Sequence, residues 1–191
     1  MNKSLLICAI AAILSRQATA QTPVTSVPAK PAEIAKLDPA MAASQKAATD
    51  VEWHDVKQWG VEGREWTNLE RLRYFDRFPA EAEKTVPRNV WSLSRDSAGM
   101  MVRFKTDSSY IWADYTLFRE RINGVNMTPI GASGLDLYAR DDAGKWRWVG
   151  VARPEKKEVR VELANTLKPG LREYALYLPL YNGVEKLSVG V

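Results

Sequence analysis

The sequence of 191 residues contains one cysteine and one histidine. The cysteine, Cys8, falls in an apolar N-terminal segment, so a chain that loses this segment keeps no thiol. Disulfide bonds and thiol chemistry are therefore excluded from the folded part, whose stability must come from a packed core. A single imidazole, that of His54, also excludes zinc sites built from several cysteine and histidine ligands.

An excess of charge of one sign is also missing. The chain has 27 lysine and arginine residues against 23 aspartate and glutamate residues, a formal net charge of +4. Lys3 and Arg16 belong to the N-terminal segment, which leaves a net charge of +2 for the remaining chain. Basic and acidic residues are interspersed rather than gathered into a basic stripe, so we expect no nucleic-acid partner.

The apolar run Leu5–Leu14 is ten residues long, whereas a helix needs about 20 apolar residues to span a bilayer. Lys3 precedes the run and Ala18-Thr19-Ala20 follows it as a small-residue cleavage site. This pattern predicts a cleaved signal peptide at residues 1–20, export to the periplasm or the cell exterior, and no membrane anchor. Cys8 also suggests a lipoprotein, but Ile7 is not the small residue required before a lipid-modified cysteine.

Aromatic residues are absent from the first 50 positions, and all seven tryptophans, seven tyrosines and four phenylalanines lie beyond them. Residues 21–50 are rich in alanine and proline and cannot bury enough apolar surface to fold alone. We interpret residues 21–50 as a linker with room for one short helix at Asp38–Ala48. The change of composition at Val51 predicts one domain over residues 51–191.

Short segments of alternating apolar and polar residues predict β-strands in this domain. Met100–Thr106 and Tyr110–Leu117 are separated by a turn and are predicted to form a hairpin. Helix is predicted only locally, at Thr67–Phe75 or Ala80–Lys84. The pattern predicts an all-β fold, an antiparallel β-sandwich or jelly roll with one or two short helices. The other predicted strands, each bounded by turn residues, are Leu135–Arg140, Trp146–Val151, Val159–Leu163, Tyr174–Leu180 and Leu187–Val191.

The pentapeptide Gly134-Leu135-Asp136-Leu137-Tyr138 opens one of these strands and has the form Gly-x-Asp-Leu-Tyr. With several accompanying blocks in order, residues 51–191 resemble the N-terminal β-sandwich domain of secreted SGNH-type, or GDSL-like, esterases. Those hydrolases carry a catalytic domain after the sandwich, so the resemblance implies an SGNH hydrolase partner expected beyond Val191 and absent here. The accompanying blocks are Arg77-Phe78-Pro79, Val90–Ser94, Ser97-Ala98-Gly99, Val102-Arg103-Phe104 and Tyr177–Gly183.

The catalytic blocks of that family are missing from this chain. A serine nucleophile needs an imidazole to accept its proton, and the family takes these residues from a Gly-Asp-Ser block and a late Asp-x-x-His block. Here Asp96-Ser97 follows Arg95, and Val51 stands three positions before His54. We therefore predict no catalytic residues and no cofactor, expect no enzymatic activity from the chain alone, and interpret His54 as an ordinary edge residue.

Aromatic side chains are the candidates for a binding role. Alternation places Leu135 and Leu137 in the core and Asp136 and Tyr138 on the opposite face. Outward tyrosines can stack on a sugar ring while their hydroxyls bond its oxygens, although such residues also pack under loops or against a neighbouring domain. The predicted carbohydrate-binding residues are Asp136, Tyr138, Tyr177, Tyr181 and Trp148.

Several neighbouring predictions accompany this set. Tyr177 and Tyr181 are expected to project outward because Leu176, Leu178 and Leu180 are expected to point into the core. Trp146 and Trp148 share a face and are expected to be core or interdomain anchors. Asp136 is expected to hold a turn by accepting backbone N–H groups. With Asp141 and Asp142 it could instead bind calcium, but the sequence Asp-Asp-x-Gly is first a turn pattern, so we predict no metal.

The sequence leaves four interpretations of function open. The preferred one is a non-catalytic accessory domain that packs on an SGNH hydrolase domain and contributes to binding a carbohydrate substrate. The alternatives are a stand-alone secreted glycan-binding module, or a truncated remnant of an SGNH esterase. An enzyme that uses an unrecognised pair of carboxylates is a further rival.

Overall fold

The fold was analysed in a computed structural model that describes residues 51–191. The predicted signal peptide at 1–20, the predicted linker at 21–50 and the predicted helix at Asp38–Ala48 lie outside the described residues. Within the described residues no helix is long and apolar enough to cross a membrane.

Residues 51–191 form two four-stranded antiparallel sheets, as expected for a β-sandwich. One sheet has the strand order β1-β8-β3-β6 and the other the order β2-β7-β4-β5. The predicted all-β sandwich is thereby confirmed. The strands are β1 (Trp53–Asp55), β2 (Met101–Thr106), β3 (Ile111–Leu117), β4 (Asp136–Arg140), β5 (Trp146–Val151), β6 (Glu158–Ala164), β7 (Arg172–Tyr177) and β8 (Val184–Gly190).

The core lies between the two sheets and is built by the period-two pattern. In β3 every second residue from Ile111 to Leu117 is fully buried, including Tyr115. Leu137 from β4 and Leu176 from β7 enter the same core from the opposite sheet. Burial of each such side chain contributes about 1.5–3 kcal/mol, which explains how a chain without disulfides holds two sheets together.

The predicted hairpin between Met100–Thr106 and Tyr110–Leu117 is wrong. β2 pairs with β7 in one sheet, whereas β3 lies between β6 and β8 in the other. Residues 107–110 therefore cross from one sheet to the other. Both strands still turn their apolar side chains toward the core, because alternation specifies the buried face of a strand and not its hydrogen-bonding neighbour.

The helical segments of the domain are short. The α-helices within the described residues are α1 (Arg88–Ser94) and α2 (Pro129–Ser133), and 3₁₀ helices cover Val56–Gln58 and Ala80–Lys84. The helix predicted at Ala80–Lys84 is present as a 3₁₀ helix, and the one predicted at Thr67–Phe75 is absent.

The side chain of Arg71 accounts for the missing helix at Thr67–Phe75. Its guanidinium donates hydrogen bonds to the carbonyl oxygens of Glu65, Trp66, Leu69 and Asp76. These bonds fold the segment around the arginine as a series of turns instead of a repeating backbone ladder.

The strand predicted at Tyr174–Leu180 ends earlier than expected, at Tyr177. Leu176 and Leu178 are buried as predicted, but Leu180 is 50% exposed. Pro179 has no N–H group for a ladder hydrogen bond and the chain bends after it, so the alternation does not continue to Leu180.

Candidate functional site

The outer face of the sheet β2-β7-β4-β5 carries most of the predicted binding residues. Tyr138 on β4 lies opposite Trp148 on β5, and Asp136 on β4 lies opposite Tyr177 on β7. The β4–β5 register shifts between Leu137 and Tyr138, and such a bulge re-aims the side chains of the bulged strand. Strand pairing thus brings together residues that are up to 41 positions apart in the sequence.

Aromatic contacts hold this group in place. The rings of Tyr138 and Tyr177 meet edge to face with centroids 5.6 Å apart, a geometry favoured by the ring quadrupoles. The indole Nε1 of Trp148 donates a hydrogen bond to Asp136 Oδ1 at 3.2 Å. Tyr177 and Trp148 remain 41% and 57% exposed, so their faces are available to a ligand.

These residues border a cleft, here called the outer cleft, with a volume of about 420 Å³. Its sheet wall is formed by Asp136, Tyr138, Trp146 and Tyr177, and its other wall by α2 and the segment after β7. A concave site with apolar walls and few polar groups is the usual form of a small-ligand site. The remaining lining residues are Gly99, Ile130, Gly131, Gly134, Leu178 and Leu180.

The Gly-x-Asp-Leu-Tyr motif has a physical explanation at this cleft. Gly134 joins α2 to β4, where a Cβ atom would lie 2.4 Å from the carbonyl oxygen of Ile130 and 2.7 Å from that of Ala152. Only glycine fits such a close approach of three backbone segments. Leu137 anchors the motif in the core, while Asp136 and Tyr138 face the cleft. The motif is thus the element that builds this wall of the cleft.

The structure places the predicted binding residues in two locations. Asp136, Tyr138 and Tyr177 line the outer cleft, and Trp148 adjoins it through its hydrogen bond to Asp136. Tyr181 instead borders a smaller depression of about 280 Å³, together with Arg77, Leu93, Asp96, Ala98 and Leu180.

Two predictions about neighbouring side chains need correction. Trp146 and Trp148 are predicted to be core or interdomain anchors; the core alternative is wrong, because they are 40% and 57% exposed and Trp146 lines the outer cleft, and the interdomain alternative stays a prediction. Asp136 was expected to accept backbone N–H groups in a turn, but its partner is the indole of Trp148. The bulge in the β4–β5 pair sets Trp148 beside Tyr138, a register that alternation along a single strand does not reveal.

β4 separates Asp136 from Asp141 and Asp142, the other two aspartates considered for calcium. Asp136 begins the strand, whereas Asp141 follows its end and accepts hydrogen bonds from the backbone N–H groups of Ala143 and Lys145. The hydrogen bond from Arg147, and next that from Lys145, lower the pKa of Asp141 below its usual value. Residues 51–191 contain no group of three potential metal ligands.

His54 lies on β1, the edge strand of the other sheet, and therefore away from the wall formed by β4, β5 and β7. Its Nε2 is 3.5 Å from Glu52 Oε1, and its ring is 5.5 Å from that of Trp59. The position agrees with the interpretation of His54 as an edge residue.

A buried polar cluster, missed by the sequence analysis, supports the end of the outer cleft. Asn182 accepts hydrogen bonds from the N–H groups of Arg119 and Gly183 and donates one to Ser133 Oγ at 3.1 Å. Ser97 Oγ accepts the N–H of Val184. Ser97 and Asn182 both lie in blocks that resemble the family, Ser97-Ala98-Gly99 and Tyr177–Gly183, and this was the available signal.

Tyr115 lies on β3, in the sheet that does not form the cleft wall, and extends this cluster. Its hydroxyl donates to the carbonyl oxygen of Ser133 at 3.2 Å. Burial raises the pKa of Tyr115 well above its ordinary value, so the hydroxyl remains a neutral donor. The end of α2, which lines the outer cleft, is thereby fixed to β3 and to the segment that precedes β8.

Comparison with known proteins was consistent with this architecture. No curated protein matches the chain. A crystal structure of a protein from Bacteroides ovatus, described as a GDSL-like lipase, superimposes with a TM-score of 0.67 at 29% sequence identity. The match covers 74% of the present chain and 41% of the Bacteroides protein, so the chain spans about two fifths of that relative.

A family model also matches the chain. The model of the GxDLY family, described as the N-terminus of SGNH-hydrolase-type esterases, matches residues 51–191. This match confirms the resemblance inferred from the pentapeptide and its accompanying blocks. The protein therefore belongs, through residues 51–191, to the GxDLY family of N-terminal domains of SGNH-type esterases.

Proposed function

We propose that residues 51–191 form a non-catalytic accessory domain of an exported SGNH-type esterase, which packs on the hydrolase domain and binds carbohydrate in the outer cleft. The family implies a catalytic partner domain. The leader pattern at residues 1–20 supports export. The observation that carries the binding role is the cleft wall of Asp136, Tyr138, Trp146 and Tyr177.

The chemistry of that wall suits a sugar ring. Pyranose rings have an apolar face of C–H groups and a periphery of hydroxyls, and aromatic side chains offer an apolar face with a polar tip. Tyr138, Tyr177 and Trp146 supply the faces, and Asp136 supplies acceptor oxygens for hydroxyl groups. Three aromatic rings on paired strands are held by the sheet, so binding immobilises few side chains that were previously mobile.

The non-catalytic role is supported by the shortage of proton-transfer groups. Acyl transfer to a serine requires a base that accepts the hydroxyl proton. The chain has one histidine, and His54 stands on the edge strand of the sheet that does not form the cleft wall. In this proposal ester cleavage is performed by the partner hydrolase domain, and residues 51–191 hold the glycan nearby.

A surface suited to packing on a partner lies next to the outer cleft. Leu93 on α1, Leu180 and Tyr181 are each at least half exposed and border the smaller depression. Exposed apolar side chains gathered around a depression are typical of protein contacts. Packing of the hydrolase domain here would place it beside the cleft, because Leu180 lines both depressions.

Affinity electrophoresis of the purified chain through gels containing soluble polysaccharides tests the binding role. We expect neutral polysaccharides to retard the wild-type protein and Tyr138→Ala to weaken binding about tenfold, since a lost aromatic contact is worth about 1–1.5 kcal/mol. Tyr181→Ala is the matched control, because this exposed tyrosine lies outside the outer cleft, and its mobility should equal that of the wild type. Absence of retardation by every polysaccharide, or equal losses in both variants, would contradict the proposal.

A further inference from the structure

We infer that the outer cleft accepts uncharged sugar rings and discriminates against sugar acids, because the carboxylate of Asp136 lies among its aromatic walls with no cationic partner in the part of the chain that the structure describes. This inference rests on the proposed carbohydrate binding and specifies the class of sugar. It concerns one side chain, Asp136, whose role in the cleft differs from that of the aromatic residues.

The polar environment of Asp136 is simple. Its Oδ1 accepts the indole N–H of Trp148 at 3.2 Å. Among the ion pairs of residues 51–191, none includes Asp136. Within residues 51–191, therefore, no arginine or lysine pairs with this carboxylate and no protein group donates to Oδ2. A carboxylate accepts hydrogen bonds at both oxygens, so a ligand can donate hydrogen bonds to the oxygen that the protein leaves open.

The arginines on the same face of the sheet are occupied by other carboxylates. Arg103 makes a two-point contact with Glu62, with Nη2 2.6 Å from Oε2, and also approaches Glu173 at 3.8 Å. Arg140 pairs with the same Glu173 at 3.1 Å. The hydrogen bonds that Arg103 donates to Glu62 stabilise its charged form and raise its pKa. Neither guanidinium is therefore free to receive the carboxylate of a sugar acid at the cleft.

These observations define the sugars that fit. A neutral ring can stack on Tyr138 or Tyr177 and donate hydroxyl hydrogen bonds to Asp136, and hydrogen bonds to a charged acceptor are stronger than neutral ones. A uronate ring presents the same hydroxyls but adds a second negative charge. Like charges a few ångströms apart repel strongly where aromatic walls reduce the access of water, so the acidic ring is disfavoured.

Binding of two polysaccharides to the purified chain tests the inference. Dissociation constants for a neutral soluble xylan and for polygalacturonate are measured at fixed ionic strength for the wild type, Asp136→Asn and Asp142→Asn. Asp136→Asn removes the charge but keeps an oxygen that can accept the Trp148 hydrogen bond. Asp142→Asn changes the net charge equally at an exposed turn beyond the cleft, and so controls for long-range attraction.

We expect the wild type to bind xylan at least tenfold more tightly than polygalacturonate. Asp136→Asn should reduce this ratio to about threefold or less, while Asp142→Asn should leave it unchanged. Equal affinities in the wild type, or a ratio that Asp136→Asn does not change, would overturn the inference and leave the proposed carbohydrate binding intact. If neither polysaccharide binds, the inference and the proposed carbohydrate binding are both overturned. Equal thermal unfolding midpoints for the wild type and the two variants would show that all three proteins are folded when the affinity ratios are measured.

Discussion

Replacing Asp76 with asparagine is expected to lower the free energy of unfolding by about 3 kcal/mol, because it leaves two enclosed guanidinium groups without their counterion. Asp76 has no exposed surface. Its Oδ1 accepts a hydrogen bond from Nη2 of Arg73 at 2.6 Å. Its Oδ2 forms an ion pair with Nε of Arg95 at 2.9 Å, and this contact lacks the alignment of a hydrogen bond. The carboxylate thus compensates two positive charges at once.

The surroundings of Arg73 explain why water cannot replace Asp76. The guanidinium carbon of Arg73 lies 3.3 Å from the ring centre of Phe118, and its side chain is largely buried. Removal from water lowers the pKa of Arg73, and the hydrogen bond that Arg73 donates to Asp76 opposes this effect. Without the carboxylate, the cation keeps the cost of desolvation and loses the interaction that offset it.

Urea denaturation followed by tryptophan fluorescence measures the effect of Asp76→Asn. The matched control is Asp114→Asn, which removes the carboxylate of an exposed pair with Arg160. Exposed pairs contribute about 0–1 kcal/mol, so this variant should unfold close to the wild-type midpoint. Equal losses of stability in the two variants would contradict the assignment of Asp76 as the centre of a buried charge cluster.

Asn182→Ala is expected to cost about 3 kcal/mol, since one truncation leaves several buried polar groups without partners, each at about 1–3 kcal/mol before relaxation. The side chain is fully buried. Its oxygen accepts the N–H groups of Arg119 and Gly183 at 3.0 and 2.9 Å. Its nitrogen donates to Ser133 Oγ and to the carbonyl oxygens of Arg119 and Arg121. The amide therefore joins the start of β8 to the segment after β3 and to α2.

A second substitution at this position separates hydrogen bonding from loss of volume. Asn182→Asp keeps the size of the side chain but replaces the NH₂ donor with an oxygen that would face the oxygens of Ser133, Arg119 and Arg121. We expect it to destabilise at least as much as alanine. Asn165→Ala, at an exposed asparagine, should change stability by less than about 0.5 kcal/mol. The urea unfolding midpoints of the variants and the wild type measure these effects. An Asn182→Asp protein as stable as the wild type would show that the hydrogen-bond network is dispensable.

The period-two pattern predicted where strands lie and which residues they bury, but not how the strands pair. Val102 and Ile111 are buried as the alternation indicates, yet their strands belong to different sheets. Pairing depends on which strands arrive from distant parts of the chain, and β3 is occupied on both sides by β6 and β8. Local sequence signals carry no information about those neighbours.

The candidate site was predicted in part for the same reason. Asp136, Tyr138 and Tyr177 follow from alternation along β4 and β7, and they line the cleft as outward residues should. Burial of Trp146 in the core, one of its two predicted environments, is wrong because its exposure depends on how β5 pairs with β4. The contacts of Asp76 and Asn182 join segments up to 63 residues apart, which no local pattern could reveal.

The central claim, that residues 51–191 bind glycan in the outer cleft without cleaving it, is tested most directly by NMR. A partially acetylated xylo-oligosaccharide is added to the ¹⁵N-labelled chain, and the seven indole N–H signals and the methyl signal of free acetate are followed together. We predict saturable shifts for Trp146 and Trp148, none for the buried Trp91, and no free acetate. Release of acetate by the chain, or indole shifts that spare Trp146 and Trp148, would contradict the account.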